Sequence, residues 1–483
     1  MEFSSLLYLF CLIASSTAHS ITQSCGQNKN NIQKRSYEFI SQFHETKLLI
    51  ISLDGFHYQY LYRFQNELTF FKNSIAGHGV FAENGMLSTF PTQTFPCHWT
   101  MATGLYHESH GIVGNYFYDP YMNETYMMGS NKTKEEHWYS GEPVWSAAVR
   151  QGKRVGVIAW LGSDVDFKLQ GRRNPTRVMP FDPKHKLGEK LTTAYNWMFG
   201  KEALDAVMVY HNNPDKAGHE SGAASREVRD VLKEIDSDLR AFFQRLTLKN
   251  EQKAINVVIV SDHGMTNITH PHTFMSDHGL DIDKHAIFAD GGGTILKIFP
   301  RDLSSEFELI THLTHISNVT ASFILYRKSD IPSRWHFQRN ARIPALVLVA
   351  NEGHLIYKNR NWSEDISGEH GYDNNLESMK AFFTAVGPSF KSHQVMTKSF
   401  PQVSLFPLFC HLLNVTAPPN NGSLAVFEPF LRREHQDEKY DWKEHNARDA
   451  LAAQKARSSG DSVSLSLLPM TFMVLVFLIL VIF

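Results

Sequence analysis

The chain has 483 residues, 42% of them hydrophobic and 20% charged, and its 47 Lys and Arg against 49 Asp and Glu leave a formal net charge of −2. That balance, with no long basic run, argues against binding a nucleic-acid polymer by its field and against a polybasic membrane patch. The length suits one large α/β catalytic domain with insertions, so a substrate must be selected by local groups.

In chain order, Ser4 to Ala18 is a short apolar run ending in small residues, the pattern of a secretory signal cleaved near Ala18. Residues 1–18 are therefore read as signal peptide, 19–46 as a lead-in and 47–430 as the catalytic domain. Within that domain three buried-strand patterns, Lys47 to Leu53, Ala206 to Tyr210 and Asn256 to Ser261, each deliver a carboxylate at or just beyond the carboxyl end. These are Asp54, Asp215 and Asp262, and open α/β sheets build their sites at such strand ends. Between the first two strands, PTQTFP around Thr94 reads as a Thr-rich loop. Residues 115–145, polar, aromatic and sequon-bearing, read as a surface excursion carrying substrate contacts.

An amphipathic helix is predicted from about Ala224 to Leu246, with Val228, Val231, Leu232, Ile235, Leu239, Phe242 and Leu246 on one apolar stripe. It follows the second carboxylate and leads into the third strand, the order expected of a parallel sheet. After residue 430 a charged, Ala-rich stalk (431–460) precedes the apolar run Leu467 to Phe483, broken only by Pro469 and Thr471. Residues 461–483 are read either as a single-pass membrane anchor or as a glycolipid-anchor signal, with Ser458, Ser459 and Gly460 as attachment candidates. Seven glycosylation sequons, at Asn123, Asn131, Asn267, Asn318, Asn361, Asn414 and Asn421, favour a lumenal or extracellular passage. Cys11 falls within the signal, and the remaining Cys25, Cys97 and Cys410 do not make a disulfide framework.

Seven residues could hold a pair of metal ions: Asp54, Thr94, Asp215, His219, Asp262, His263 and His370. Asp215 and His219 lie four apart in a Pro- and Gly-containing loop, so both can turn to one ion, while Asp262 and His263 are adjacent at a strand end. Singly, each is ordinary: an Asp at a strand end commonly caps a helix, and an isolated His is commonly a satisfied polar group. Jointly they offer His nitrogens and Asp oxygens to cations that keep positions open for water or substrate. Two such ions a few ångström apart can hold the attacking and leaving oxygens of a displacement at phosphorus. Thr94 beside them becomes a nucleophile once a dication lowers the cost of its alkoxide, and no general-base His is then required.

The segments IISLDGF around Asp54, PTQTFP around Thr94, TGLYHESHGIVGN from Thr103 to Asn115, NPDKAGH, SDHGM, and EHGYDNNLESMKAFFTAVGPSF from Glu369 onward resemble the ectonucleotide pyrophosphatase/phosphodiesterase family. The resemblance runs from roughly residue 47 to 430 and is to the compact, membrane-anchored members. It implies an alkaline-phosphatase-like α/β fold with a mostly parallel central sheet flanked by helices, two zinc ions, and hydrolysis of a phosphodiester or pyrophosphate bond through a phosphothreonine. Carried onto this sequence, Asp215, His219 and His370 would hold one zinc, and Asp54, Thr94, Asp262 and His263 the other. Asn115 would donate to a non-bridging phosphate oxygen.

Departures from the family pattern touch no metal ligand. Cys97 stands where Asn usually precedes His98, and Gln93 where Lys often precedes the nucleophile. Cys97 also invites a sulfatase reading, but that family needs Pro and Arg two and four positions after its cysteine, where this chain has Trp99 and Met101. For a nucleotide substrate the resemblance implies a base sandwiched by Phe95 and by Phe181, which replaces a usual tyrosine; stacking contributes roughly 1–3 kcal/mol per base. Trp160, Ser163 and Asp164 resemble a further pocket-lining segment. The leading expectation is an ectoenzyme releasing nucleoside 5′-monophosphate from ATP, ADP or dinucleotides. The alternatives are a choline-phosphodiester or lysophospholipid phosphodiesterase on the same site, and a non-catalytic surface binding protein of the same fold.

Overall fold

Apolar runs without alternation are buried on both faces and belong in the middle of a parallel sheet. The computed structural model describes residues 46–432 and contains such a sheet, with eight strands. Residues 1–45 and 433–483, which carry the segments read as signal peptide, lead-in, stalk and membrane anchor or anchor signal together with Cys25, lie outside the described residues. In chain order the first elements are β1 (Lys47–Leu53), β2 (Val80–Ala82), α1 (Thr94–Thr103), the hairpin strands β3 (Tyr116–Asp119) and β4 (Glu124–Met127), β5 (Val155–Ile158) and β6 (Arg177–Met179). Then come α2 (Leu187–Phe199), β7 (Ala206–His211), α3 (Asp215–Ser221), α4 (Arg226–Leu248) and β8 (Ile255–Val260). Beyond these lie β9 (Ala286–Ala289), β10 (Ile295–Pro300), α5 (Leu303–Thr320), β11 (Phe323–Arg327), β12 (Leu346–Ala350), β13 (Phe383–Val386), β14 (Gln394–Met396) and α6 (Leu405–Leu412).

The main sheet has the order β14-β2-β13-β8-β1-β7-β5-β6, and only β13 runs antiparallel to its neighbours. Strand β1 lies between β7 and β8, with Leu53 opposite His211 and Ser52 opposite Val260. All six residues of β7 and of β8 are buried, each large aliphatic side chain contributing about 1.5–3 kcal/mol. This is the mostly parallel, helix-flanked sheet of the alkaline-phosphatase-like fold.

Several local expectations change. Thr94 opens helix α1 and is not in a loop, and Asp215 and His219 sit on helix α3, one turn apart, with Pro214 immediately before it. Helix α4 starts two residues later than the periodicity suggests, because the Ser225 hydroxyl caps it by accepting from the Val228 N–H at 3.1 Å. A second sheet, β9-β10-β12-β11, is antiparallel and packs with α5 around Leu296, Leu309, Leu313 and Leu348. Cys97 and Cys410 are both free and buried.

Residues 115–145 are a surface excursion only in part, since Phe117, Tyr126 and Trp138 are completely buried. Arg342 anchors the segment. Its Nε donates to Asp119 at 2.7 Å, and Nη1 donates to the Gly111 and Trp138 carbonyls at 2.8 and 2.7 Å. Burial would raise the Asp119 carboxyl, but Arg342 and the Tyr121 and Met122 N–H groups hold it below its usual range. A native value below the unfolded one means stabilisation that is present at neutral pH and lost as pH falls through the native value. Arg342→Met strands a buried carboxylate and two carbonyls, so urea unfolding at neutral pH is expected to show a loss of about 3 kcal/mol. Unchanged stability in that variant would show that the clamp is dispensable.

Candidate active site

Because β1, β7 and β8 are parallel neighbours, their carboxyl ends open on the same edge of the sheet and bring Asp54, Asp215 and Asp262 together. The backbones interlock there. Asp54 N–H donates to His211 O and Asp215 N–H to Asp54 O, each at 2.9 Å, and Gly55 N–H donates to Asp262 Oδ1 at 3.1 Å. Gly55 has φ +64°, and a Cβ added to it would stand 2.8 Å from Asp215 Cα and Cβ. Glycine is therefore required twice, for the left-handed turn and for the approach of the second carboxylate.

Each of the three histidines donates Nδ1–H to a backbone carbonyl. His219 donates to Gly368 O at 2.9 Å, His263 to Gly264 O at 2.9 Å and His370 to Thr92 O at 2.7 Å. That fixes the tautomer and leaves three Nε2 lone pairs. His219 Nε2 faces Asp215 Oδ2 at 3.3 Å, His370 Nε2 faces Asp215 Oδ1 at 3.5 Å, and His263 Nε2 faces Asp54 Oδ1 at 3.4 Å and Asp262 Oδ2 at 3.0 Å. The His263 and His370 rings stack at 3.5 Å, joining the two groups of ligands.

Asp54 Oδ1, Asp215 Oδ1 and Asp262 Oδ2 are buried and accept no hydrogen bond. Acceptors thus face acceptors, an arrangement that only protons or cations can satisfy. With protons alone the balance is poor: burial and then Asp262 and Asp215 push the Asp54 carboxyl well above its usual value. Burial would lower His219, but Glu369 and Asp215 raise it to about 10. The donor set, mixed Asp oxygen and His nitrogen with the other ring nitrogen tied to a carbonyl, is one that holds a divalent transition metal. Two groups have the reach to do so, Asp215 with His219 and His370, and Asp54 with Asp215 and His263. Asp262 lies beside the second group and Thr94 Oγ1 is 3.3 Å from His263 Nε2.

Thr94, on the first turn of α1, is 8% exposed and opens on a cavity of about 430 Å³ lined also by Asp54, Asp215, Phe95, Phe181 and Trp160. The two phenylalanines named from sequence thus share one cavity with Asp54 and Asp215, as do Ser163 and Asp164. Asn115 Oδ1 accepts the Phe95 N–H at 3.0 Å and Asn115 N–H donates to Gln93 Oε1 at 3.1 Å. Its amide is thereby oriented with Nδ2 left to donate.

Three supporting residues escape the sequence reading. Tyr210, in the cavity wall, donates its hydroxyl to Asp54 Oδ2. His98, one turn below Thr94 on α1, donates Nδ1–H to the Thr94 carbonyl and accepts from Ser52 Oγ, both at 2.8 Å. Gln402 Nε2 donates to the Asp262 carbonyl at 2.8 Å. The sequence carries a signal for Tyr210 and His98: a polar tip near the end of a buried strand, and a His at i+4 from Thr94 on one helix face.

The crowding at Gly55 gives a direct test. Gly55→Ala adds a methyl group against Asp215 in a backbone conformation that costs an L-residue about 1–2 kcal/mol. The variant is expected to lose stability in denaturant unfolding and to retain less divalent metal by elemental analysis after dialysis. Wild-type stability together with wild-type metal content would show that the close approach of the two carboxylates is not needed.

The family model for type I phosphodiesterase / nucleotide pyrophosphatase matches residues 48–373. Human ectonucleotide pyrophosphatase/phosphodiesterase family member 5 is 33% identical over 400 residues, covering 82% of this chain and 80% of the relative. A bis(5′-adenosyl)-triphosphatase of Xenopus laevis is 32% identical over 384 residues, covering 78% of this chain and 80% of its own. The solved structure of the human member 5 protein superimposes with a TM-score of 0.71 at 32% identity, covering 80% of this chain and all of that one. The murine protein, solved as an inactive threonine-to-alanine variant in complex with AMP, has a TM-score of 0.70 at 28% identity, with coverage of 80% and 100%. A parallel sheet with Asp and His residues grouped at its carboxyl edge, and these matches across most of its length, make the chain a member of the type I phosphodiesterase/nucleotide pyrophosphatase family.

Proposed function

We propose that this family member is a cell-surface, two-zinc hydrolase that cleaves ATP, ADP or dinucleotides to nucleoside 5′-monophosphate, with a catalytic unit spanning residues 47–430. The observation that carries the reading is the set of histidine lone pairs facing unpartnered carboxylates beside Thr94, with Thr94, Asp54 and Asp215 lining a cavity shared by Phe95 and Phe181. Asp215, His219 and His370 would hold one zinc, and Asp54, Asp262, His263 and the Thr94 oxygen the other. When bound, two zinc ions lower the cost of the Thr94 alkoxide and offset charge on the phosphoryl oxygens.

Thr94 Oγ1 gives up its proton to solvent and attacks the phosphorus that bears the nucleoside, and the bond to the leaving phosphate oxygen breaks, that oxygen keeping the bonding pair. Water then hydrolyses the phosphothreonine, freeing the monophosphate and the threonine hydroxyl. His98 holds the Thr94 carbonyl, which fixes the first turn of α1 and so the direction of attack. Asn115, its carbonyl engaged by Phe95 N–H, offers Nδ2 to a non-bridging oxygen whose charge grows in the transition state. Phe95 and Phe181 would receive the base between them.

AMP bound in the murine relative and the bis(5′-adenosyl)-triphosphatase name of the Xenopus laevis protein both favour a nucleotide over a choline ester. An extracellular setting is supported by exposure of all seven sequon asparagines, Asn123, Asn131, Asn267, Asn318, Asn361, Asn414 and Asn421.

The test is chromatographic product analysis with ATP, ADP, NAD and a lysophosphocholine, with and without chelator. Chelator-sensitive release of AMP is expected, and Thr94→Ala is expected to lower turnover by about a thousandfold or more with an unchanged unfolding transition. Choline-containing products alone would transfer the site to lipid chemistry, and full activity in Thr94→Ala would exclude the covalent route.

A further inference from the structure

Lys190, on helix α2, is a lysine with no exposed surface. Burying an ammonium is costly unless it is paired, yet the close contacts that Lys190 Nζ makes among the described residues are with a carbonyl and a ring, not with a carboxylate. Its Nζ donates to the Tyr210 carbonyl at 3.0 Å and lies over the ring of Phe181, 5.7 Å from the centroid. Phe181 is 48% exposed, lines the cavity beside Thr94, and its ring lies 5.8 Å from that of Tyr210. A methionine would fill the same space without the desolvation cost, so the charge itself needs an explanation.

We propose that Lys190 is a positioning and specificity residue for the base of the substrate, acting through Phe181. It rests on the nucleotide reading above and deepens it. The ammonium is attracted to the negative face of the Phe181 ring and draws π density toward itself. The ring is held in one orientation before substrate arrives, and its pocket side becomes a less negative surface on which an electron-rich purine stacks. Burial lowers the ammonium to about 8, with Asp182 opposing the shift. Lys190 touches neither the phosphate nor Thr94, and its influence belongs in KM for substrates that carry a base.

Two p-nitrophenyl phosphodiesters with the same leaving group separate these effects: the p-nitrophenyl ester of AMP and methyl p-nitrophenyl phosphate. Lys190→Met is expected to raise KM for the AMP ester about two- to fivefold, with kcat unchanged and no loss on the methyl ester. Lys190→Arg, which keeps the cation, should restore the wild-type KM. Should Lys190→Met fail to fold, Lys190→Gln carries the same test, since it keeps a donor for the Tyr210 carbonyl without the charge. In a Phe181→Leu background the Lys190 substitution should have no further effect on KM. Equal losses on both esters, an unchanged KM, or an undiminished effect without the Phe181 ring would each overturn the proposal. A wild-type enzyme that does not prefer the AMP ester to the methyl ester would overturn the nucleotide reading and this inference with it.

Discussion

Everything in the site depends on the register that seats β1 between β7 and β8. Three parallel neighbours end on one edge and turn three carboxylates toward the same small volume, where two unit charges about 4 Å apart repel by roughly 4 kcal/mol even at an effective dielectric of 20. Hydrophobic burial along the strands outweighs that repulsion in the folded chain, and a bound dication would remove it. The turn at Gly55, the Tyr210 hydroxyl on Asp54 and the Gln402 amide behind Asp262 keep the three groups in place.

Different parts of the chain divide the remaining work. The parallel sheet supplies carboxylates, and helix α1 supplies Thr94 and, one turn on, the His98 that holds its carbonyl. The antiparallel sheet reaches the site from the other side, where the Thr294 hydroxyl donates to the His370 carbonyl at 2.9 Å. The excursion pinned by Arg342 contributes Met128 and Lys134 to the cavity wall. Thr94 and the Asp and His side chains grouped beside it therefore sit on or beside packed elements, which would suit a reaction whose catalysis is mostly positioning and charge stabilisation.

The strand ends were legible because uninterrupted apolar runs such as NVVIV have only one comfortable place in an α/β protein, and a carboxylate at their end has few others. Thr94 was misplaced into a loop because Pro-Thr-Gln-Thr-Phe-Pro lacks helical periodicity and its helix is stabilised by burial of Trp99 and Met101. The antiparallel sheet was missed because its strands are short and because Lys297 interrupts ILKIFP; tertiary pairing with Asp290 at 3.0 Å makes that lysine tolerable. His370 follows a strand of two residues, Gly368–Glu369, too short to mark a strand end, so its place among the candidates rested on residue type and on the EHGYDN segment. Lys190 gave no signal at all, since composition places lysines outside and only the fold puts this one beneath an aromatic ring.

The His370 bond to the Thr92 carbonyl joins positions 278 apart in the chain. During synthesis at about 5–20 residues per second, the ribosome needs on the order of tens of seconds to deliver the second partner after the first. Until then the nascent polypeptide carries Asp54, Asp215, His219, Asp262 and His263 without the imidazole that completes the first cluster. Strand β13, which covers the flank of β8, emerges later still. Completion of the first cluster is therefore a late event in synthesis, delayed until most of the 483 residues have been made.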